Sequence, residues 1–126
     1  MPKEIIKTDK APKPLAGYSQ AVKAGGFIFV AGQAPLDPVT GKVVGDTIQT
    51  QTAQSLRNIE AILQAAGSSL DRVVSATFFL GFEDDYAGMN EEWAKWFPQD
   101  PPARQGAKLP VNPNLLKISI GVIAEA

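Results

Sequence analysis

The sequence predicts an α+β domain in which two helices pack on one face of a mixed β-sheet. Three observations lead there. Strand-like and helical patterns follow in the order strands, helix, strand, helix, strands across 126 residues, an order that suits helices gathered on one side of a sheet. Each helical segment carries a single apolar stripe, so each has one face to bury. The strands hold continuous apolar stretches, which predicts that other subunits cover the face the helices leave bare.

The chain opens with Lys3 to Lys7, a short strand carrying Ile5 and Ile6. Asp9 to Gly17 contains Pro12 and Pro14 and reads as a loop. Tyr18 follows a glycine at once; it either points into a cleft or packs at the core edge with its hydroxyl wet. Ser19 to Ala24 and Phe27 to Ala31 flank Gly25-Gly26, a strong hairpin signal. Phe27, Ile28, Phe29 and Val30 form an unbroken apolar run, which predicts a strand buried on both faces. Gly32 lacks a side chain where that strand exits, leaving room for a ligand or a neighbouring chain. Pro35 to Gly41 is a turn region, and Lys42 to Val44 is a short edge strand.

The first helix is predicted from Thr47 to Ala66, with Asp46 as N-cap and Gln49 three residues on. Ile48, Thr52, Leu56, Ile59, Leu63 and Ala66 share its apolar face. Gln51, Gln54, Arg57 and Asn58 form the polar face, and Gly67 supplies the stop. Ser68 to Arg72 is a loop. Val73 to Leu80 is a strand rich in β-branched and aromatic residues.

The second helix is predicted from Asp84 to Phe97. Acidic residues in its first turn suit the positive end of the helix dipole. Tyr86, Met89, Trp93, Trp96 and Phe97 form its stripe, read as core or subunit interface. Asn90 lies beside the stripe and faces either a cleft or water. Pro98 ends the helix.

The last quarter carries the chemistry. Pro101-Pro102 stiffens the backbone ahead of Arg104 in an extended, non-helical form. The guanidinium is permanently charged, and its fork of donors fits a carboxylate. Arg104 is therefore either a ligand anchor or half of a surface or interface ion pair. Ala103 to Lys108 is a candidate strand, and Pro110 and Pro113 bracket a turn. In the final strand, Leu116 to Ala124, the residues Ile118, Ile120, Val122 and Ala124 share the core face. Lys117, Ser119, Gly121 and Ile123 share the other, where Ser119 and Gly121 make a small, open wall.

Composition narrows the function. Formal net charge is −1 with no basic cluster, which argues against DNA or RNA as a partner. There is no cysteine and no histidine, so thiolate chemistry, zinc–thiolate sites and imidazole bases are excluded. No metal-ligand cluster and no phosphate-binding glycine loop appears. No segment approaches membrane-spanning length, and the N-terminal residues lack a signal-peptide core; a cytoplasmic protein is expected.

An ordered set of segments resembles one family over nearly the whole chain. The segments are Ala16-Gly17-Tyr18-Ser19-Gln20-Ala21-Val22, Phe29 to Pro35, Asp37 to Gly41, Ser55 to Gly67, Tyr86 to Asn90, Pro102-Ala103-Arg104 and Val122-Ile123-Ala124. The chain resembles the Rid family, also called the YjgF or L-PSP endoribonuclease proteins. The resemblance implies a chorismate-mutase-like fold assembled as a homotrimer with three intersubunit clefts. It implies hydrolysis of reactive enamine and imine intermediates to 2-keto acids and ammonia, without a cofactor. Arg104 matches the arginine that clamps the substrate carboxylate. Tyr18 matches a tyrosine at the cleft mouth, and Gly32 and Asn90 match other cleft positions.

Several positions depart from the family pattern. The usual Glu-Ile-Glu of the terminal strand is Ser119-Ile120-Gly121 here, so the glutamate that positions the attacking water is absent. Ser119 is left as the candidate to hold that water. Ala31 replaces a serine or threonine, Gly106 replaces a cysteine beside the substrate, and the Phe97–Arg104 loop is shorter. Glu125 lies on the Ser119 side of the strand, but six residues at about 3.3 Å each put it roughly 20 Å away. Three readings follow: an imino-acid hydrolase, a trimeric binder of small carboxylates, and a ribonuclease, the last opposed by the lack of histidine and of a basic surface.

Overall fold

The computed structural model describes residues 2–15, 17–110, 112 and 115–126. It contains β1 (Glu4–Ile6), β2 (Ala21–Ala24), β3 (Phe27–Gln33), α1 (Ile48–Ala65), β4 (Val73–Leu80), α2 (Tyr86–Trp96), β5 (Ala103–Lys108) and β6 (Ile118–Glu125). The strands form one six-stranded mixed sheet in the order β1-β2-β3-β6-β4-β5. Only the β4–β5 pair is parallel, and α2 lies in the crossover between them. This is the predicted α+β architecture. The predicted Pro110–Pro113 turn lies partly outside the described residues, as does Ala16 of the loop before Tyr18.

The β2–β3 hairpin turns through Gly25 and Gly26, both at positive φ (60° and 84°). Two consecutive left-handed residues match the twist of the flanking strands, and glycine adopts them without Cβ strain. Beyond the hairpin, one cross-strand row runs Ala21, Val30, Val122, Ala76, Arg104. Its first four members are buried; Arg104 ends the row at the sheet edge, on the same face. The neighbouring row Ile5, Val22, Phe29, Ile123, Ser75 points the opposite way.

Both helices cover the first face. Ile48, Thr52, Leu56, Ile59, Leu63 and Ala66 are all buried, as the periodicity predicts. A fully buried leucine or isoleucine contributes about 1.5–3 kcal/mol, so Leu56→Ala would cost about 2–5 kcal/mol with its cavity. The N-cap is Thr47, not Asp46. Thr47 has extended backbone (φ −108°, ψ 157°), and its hydroxyl accepts from the Thr50 N–H. The Thr50 hydroxyl accepts from the Thr47 N–H, closing a capping box one residue later than expected.

The polar face assigned to α1 is also corrected. Gln51, Gln54 and Asn58 are buried, because the 34–45 loop lies over them. Asn58 Nδ2 donates to the Ala34 and Leu36 carbonyls, and Gln54 Nε2 to Leu36 O and Asn58 Oδ1. Gln51 Nε2 donates to Gly45 O, and its Oε1 accepts from the Lys117 N–H. Paired in this way, buried amides avoid the penalty of unsatisfied polar groups. Lys42–Val44 makes only an isolated bridge between Val43 and Leu36. The second helix is preceded by a 3-10 turn at Glu83–Asp85, so the acidic residues precede α2 instead of opening it. A second such turn, Leu70–Arg72, lies in the predicted Ser68–Arg72 loop.

Among the described residues, no helix covers the second face. Phe27 and Phe29 are 41% and 45% exposed while Ile28 and Val30 are buried, so β3 is buried on one face instead of two. Ile5 and Val74 are exposed as well. No helix among the described residues is long and apolar enough to cross a membrane.

Candidate functional site

Arg104 is the best-defined polar centre of the structure. Its strand runs beside β4, and the side chain, half-buried, reaches toward α2. Nη1 donates to Asn90 Oδ1 at 2.7 Å and Nη2 to the Tyr86 hydroxyl at 3.3 Å. The guanidinium carbon lies 5.0 Å from the Phe78 ring centre, 5.1 Å from Trp93 and 5.9 Å from Tyr86. Aromatic faces attract a cation at such distances. Among the described residues no carboxylate pairs with Arg104. Its contacts within the chain are neutral, so the ion-pair alternative finds no partner here.

The partners of Arg104 come from one face of α2. Tyr86, Asn90 and Trp93 are spaced four and three apart, so they stack on neighbouring turns. Sequence reasoning divided them, placing Tyr86 and Trp93 in the apolar stripe and leaving Asn90 beside it. The i, i+4, i+7 spacing of a tyrosine, an amide and a tryptophan was the available signal. Phe78 was missed as well, because its part depends on β5 lying parallel to β4. Arg104, Asn90 and Trp93 line a shallow depression of about 340 Å³ with Phe97, Pro101 and Pro102.

Gly106 is the register partner of Phe78. The aromatic ring lies so close over Gly106 that any Cβ there would collide with it. The glycine thus lies under a ring, and with Phe78, Leu80 and Glu83 it lines a depression of about 340 Å³.

The other predicted residues gather elsewhere. Tyr18, Gly32 and Ser119 line a depression of about 400 Å³ together with Leu36, Leu109 and Leu116. Ser119 is the register partner of Phe79 on β4 and alternates with buried Ile118 and Ile120, which puts it on the bare face. β3 has a register shift between Val30 and Gln33, and this irregularity carries Gly32 over Ser119. A Cβ at Gly32 would lie 3.1 Å from Ser119 Oγ, and one at Gly121 would lie 3.3 Å from the Val30 carbonyl. Small residues on facing strands keep this wall low.

Tyr18 is half exposed, and its hydroxyl accepts from the Leu15 N–H at 3.4 Å. The loop before it is shaped by buried Gln20, whose side chain accepts from Thr8 N–H and donates to the Thr8 and Pro12 carbonyls. Gln20 is a positioning residue to which the sequence reading gave no role, although it lies in a segment that carries the resemblance. One chain therefore brings Arg104 and Asn90 together, and Tyr18, Gly32 and Ser119 together, but holds the two groups on opposite faces of its sheet.

Comparison with known proteins agrees with this architecture. The family model described as endoribonuclease L-PSP matches residues 8–126. A RutC family protein of Pyrococcus horikoshii is 48% identical over 97% of this chain and 97% of its own. The chloroplastic Reactive Intermediate Deaminase A of Arabidopsis thaliana is 43% identical over 97% of this chain and 65% of its own. Among solved structures, RidA from an Antarctic Psychrobacter matches with a TM-score of 0.91 at 34% identity, over 98% of this chain and 99% of its own. E. coli TdcF with bound serine matches with a TM-score of 0.90 at 33% identity, over 98% of each chain. Shared sequence and shared fold over almost the full length leave one assignment: this chain belongs to the L-PSP endoribonuclease family, the Rid proteins.

Proposed function

We propose that the protein is a homotrimer that hydrolyses small 2-imino acids to 2-keto acids and ammonia in clefts between subunits. The observation that carries this reading is Arg104: a half-buried guanidinium held by neutral groups, with no carboxylate partner among the described residues. A carboxylate ligand supplies the missing charge and matches the fork geometry. The relative named Reactive Intermediate Deaminase A and the serine-bound neighbour support a small substrate of amino-acid type. The apolar bare face supports assembly, since exposed contiguous apolar surface marks an interface. A cleft between subunits lets one chain's Arg104 group face the Tyr18–Gly32–Ser119 group of a neighbour.

In this reading an enamine tautomerises to the imine, and water adds to its C2 carbon. The resulting carbinolamine transfers a proton to nitrogen and expels ammonia, leaving a carbonyl at C2. Arg104 holds the carboxylate, Asn90 and Tyr86 hold Arg104, and Ser119 hydrogen-bonds the water. Gly32 and Tyr18 bound the cleft, and Gly106 lies beside the anchor. Orientation is the main contribution. A side chain that accepts a proton from the attacking water typically contributes about 10²–10⁴-fold, and serine does not replace it, so turnover is slow.

One observation favours a second reading, a binder of small carboxylates without turnover: no aspartate or glutamate among the described residues lines the Ser119 depression. The deciding experiment measures keto-acid release from freshly generated 2-iminobutanoate, with Arg104→Ala as control. Release above the uncatalysed rate, lost in Arg104→Ala, is expected. Binding of 2-oxobutanoate without any release would replace the first reading by the second.

A further inference from the structure

We infer that Phe78 is a positioning residue for Arg104, and that Gly106 exists in this chain to make room for it; this rests on Arg104 being the carboxylate anchor proposed above. Phe78 and Gly106 are register partners on adjacent parallel strands. The ring is 9% exposed and occupies the volume that any side chain at position 106 would need. From there it lies 5.0 Å from the Arg104 guanidinium carbon and packs against the Tyr86 ring, with centres 6.1 Å apart at 42°. Arg104 and Gly106 are two residues apart on one strand, so they share a face. A ring seated on Gly106 therefore also faces the Arg104 guanidinium.

The consequence is preorganisation. An arginine side chain has many rotamers, and immobilising it on binding weakens affinity. Here the cation is held before a ligand arrives, by Phe78, Trp93 and Tyr86 around it and by Asn90 and the Tyr86 hydroxyl at its edge. Of the five N–H donors of a guanidinium, two are used among the described residues, which leaves three for a ligand. With aromatic carbon around the cation, a carboxylate is received at the donor edge. A side chain at 106 would push the ring, and the ring would carry the arginine with it.

The test is a double-mutant cycle of wild type, Phe78→Leu, Gly106→Ala and the double variant. Three quantities are measured: Kd for 2-oxobutanoate, the Nε–H resonance of Arg104 in the ligand-free protein, and Tm. Each single change is expected to raise Kd. Leucine leaves room for the added methyl group, so the double variant is expected to bind about tenfold better than the product of the single effects. The Arg104 resonance, shifted by the rings in wild type, is expected to move in both single variants, and adding Gly106→Ala to Phe78→Leu is expected to move it no further. Phe78→Tyr keeps the ring and is expected to retain both wild-type Kd and resonance, which covers the case in which Gly106→Ala does not fold. Multiplicative Kd effects with an unmoved Arg104 resonance would overturn the inference. If wild type binds no keto acid, the proposed substrate class falls. The ligand-free resonance still decides the role of Phe78: movement in Phe78→Leu supports it, and an unchanged signal overturns it.

Discussion

Arg104 and Ser119 sit on opposite faces of one sheet, and their surroundings differ in kind. The Arg104 region is crowded: three aromatic rings and two side-chain acceptors surround a single cation. The Ser119 region is spare, with Gly32 and Gly121 beside the serine and leucines around it. Recognition demands a rigid, prepaid geometry, and the helix-covered face supplies packing to hold it. The bare face has no helix to hold anything, and its exposed phenylalanines suit contact with another chain. The comparison teaches that, in the proposed trimer, half of this site is complete within a subunit, whereas the other half needs a partner.

The largest expected effect removes that partner. Phe29→Asp places a charge in the middle of the apolar face, where burial without a partner is costly. The variant is expected to sediment as a folded species of 13.4 kDa that has lost hydrolysis while Arg104 keeps its contacts. An active monomer would show that one chain suffices and would break the comparison.

Next comes repair of the spare half. Ser119→Glu is expected to raise imine hydrolysis, up to the roughly 10²–10⁴-fold that a proton-accepting side chain contributes. Ser119 Oγ already lies 3.1 Å from where a Cβ on Gly32 would be, so Gly32 leaves just enough room and Tm is followed beside rate. A stable variant with no gain would mean that water is activated from another position.

A smaller change tests the crowded half. Arg104→Lys keeps the charge but loses the fork, and with it at least one charge-assisted hydrogen bond of about 1.5–3 kcal/mol. Keto-acid Kd is expected to rise about tenfold or more, with kcat on saturating substrate changed less. An unchanged Kd by calorimetry would place the carboxylate elsewhere.

The smallest effect is at Asp37, in the loop that leads past Leu36 at the edge of the Ser119 depression. Hydrogen bonds from the Thr40 and Val39 N–H groups hold its carboxyl below the ordinary value. A lowered folded value stabilises the protein above the unfolded pKa, and that contribution fades as pH falls through the folded one. Asp37→Asn is expected to lower Tm slightly at neutral pH and not at all in strong acid. A larger loss in acid than at neutrality would reverse the assigned direction.

Local rules carried much of the molecule. The apolar register of α1, the glycine turn of the hairpin and the stiff extended approach to Arg104 follow from residues within a few positions of each other. So does the absence of a carboxylate at Ser119 and Gly121, which is a matter of composition. Other features needed chain segments far apart in sequence to meet. Gln51, Gln54 and Asn58 looked like a solvated face and are buried, because the 34–45 loop brings them carbonyls. Phe78 and Gly106 are ordinary residues until parallel pairing sets one over the other. Helix period and strand alternation are properties of a single segment, so the sequence alone determined which side chains share a face. Which faces look at each other depends on strand order and register, fixed by burial across the whole sheet, and only the tertiary structure decided that Arg104 and Ser119 would point apart.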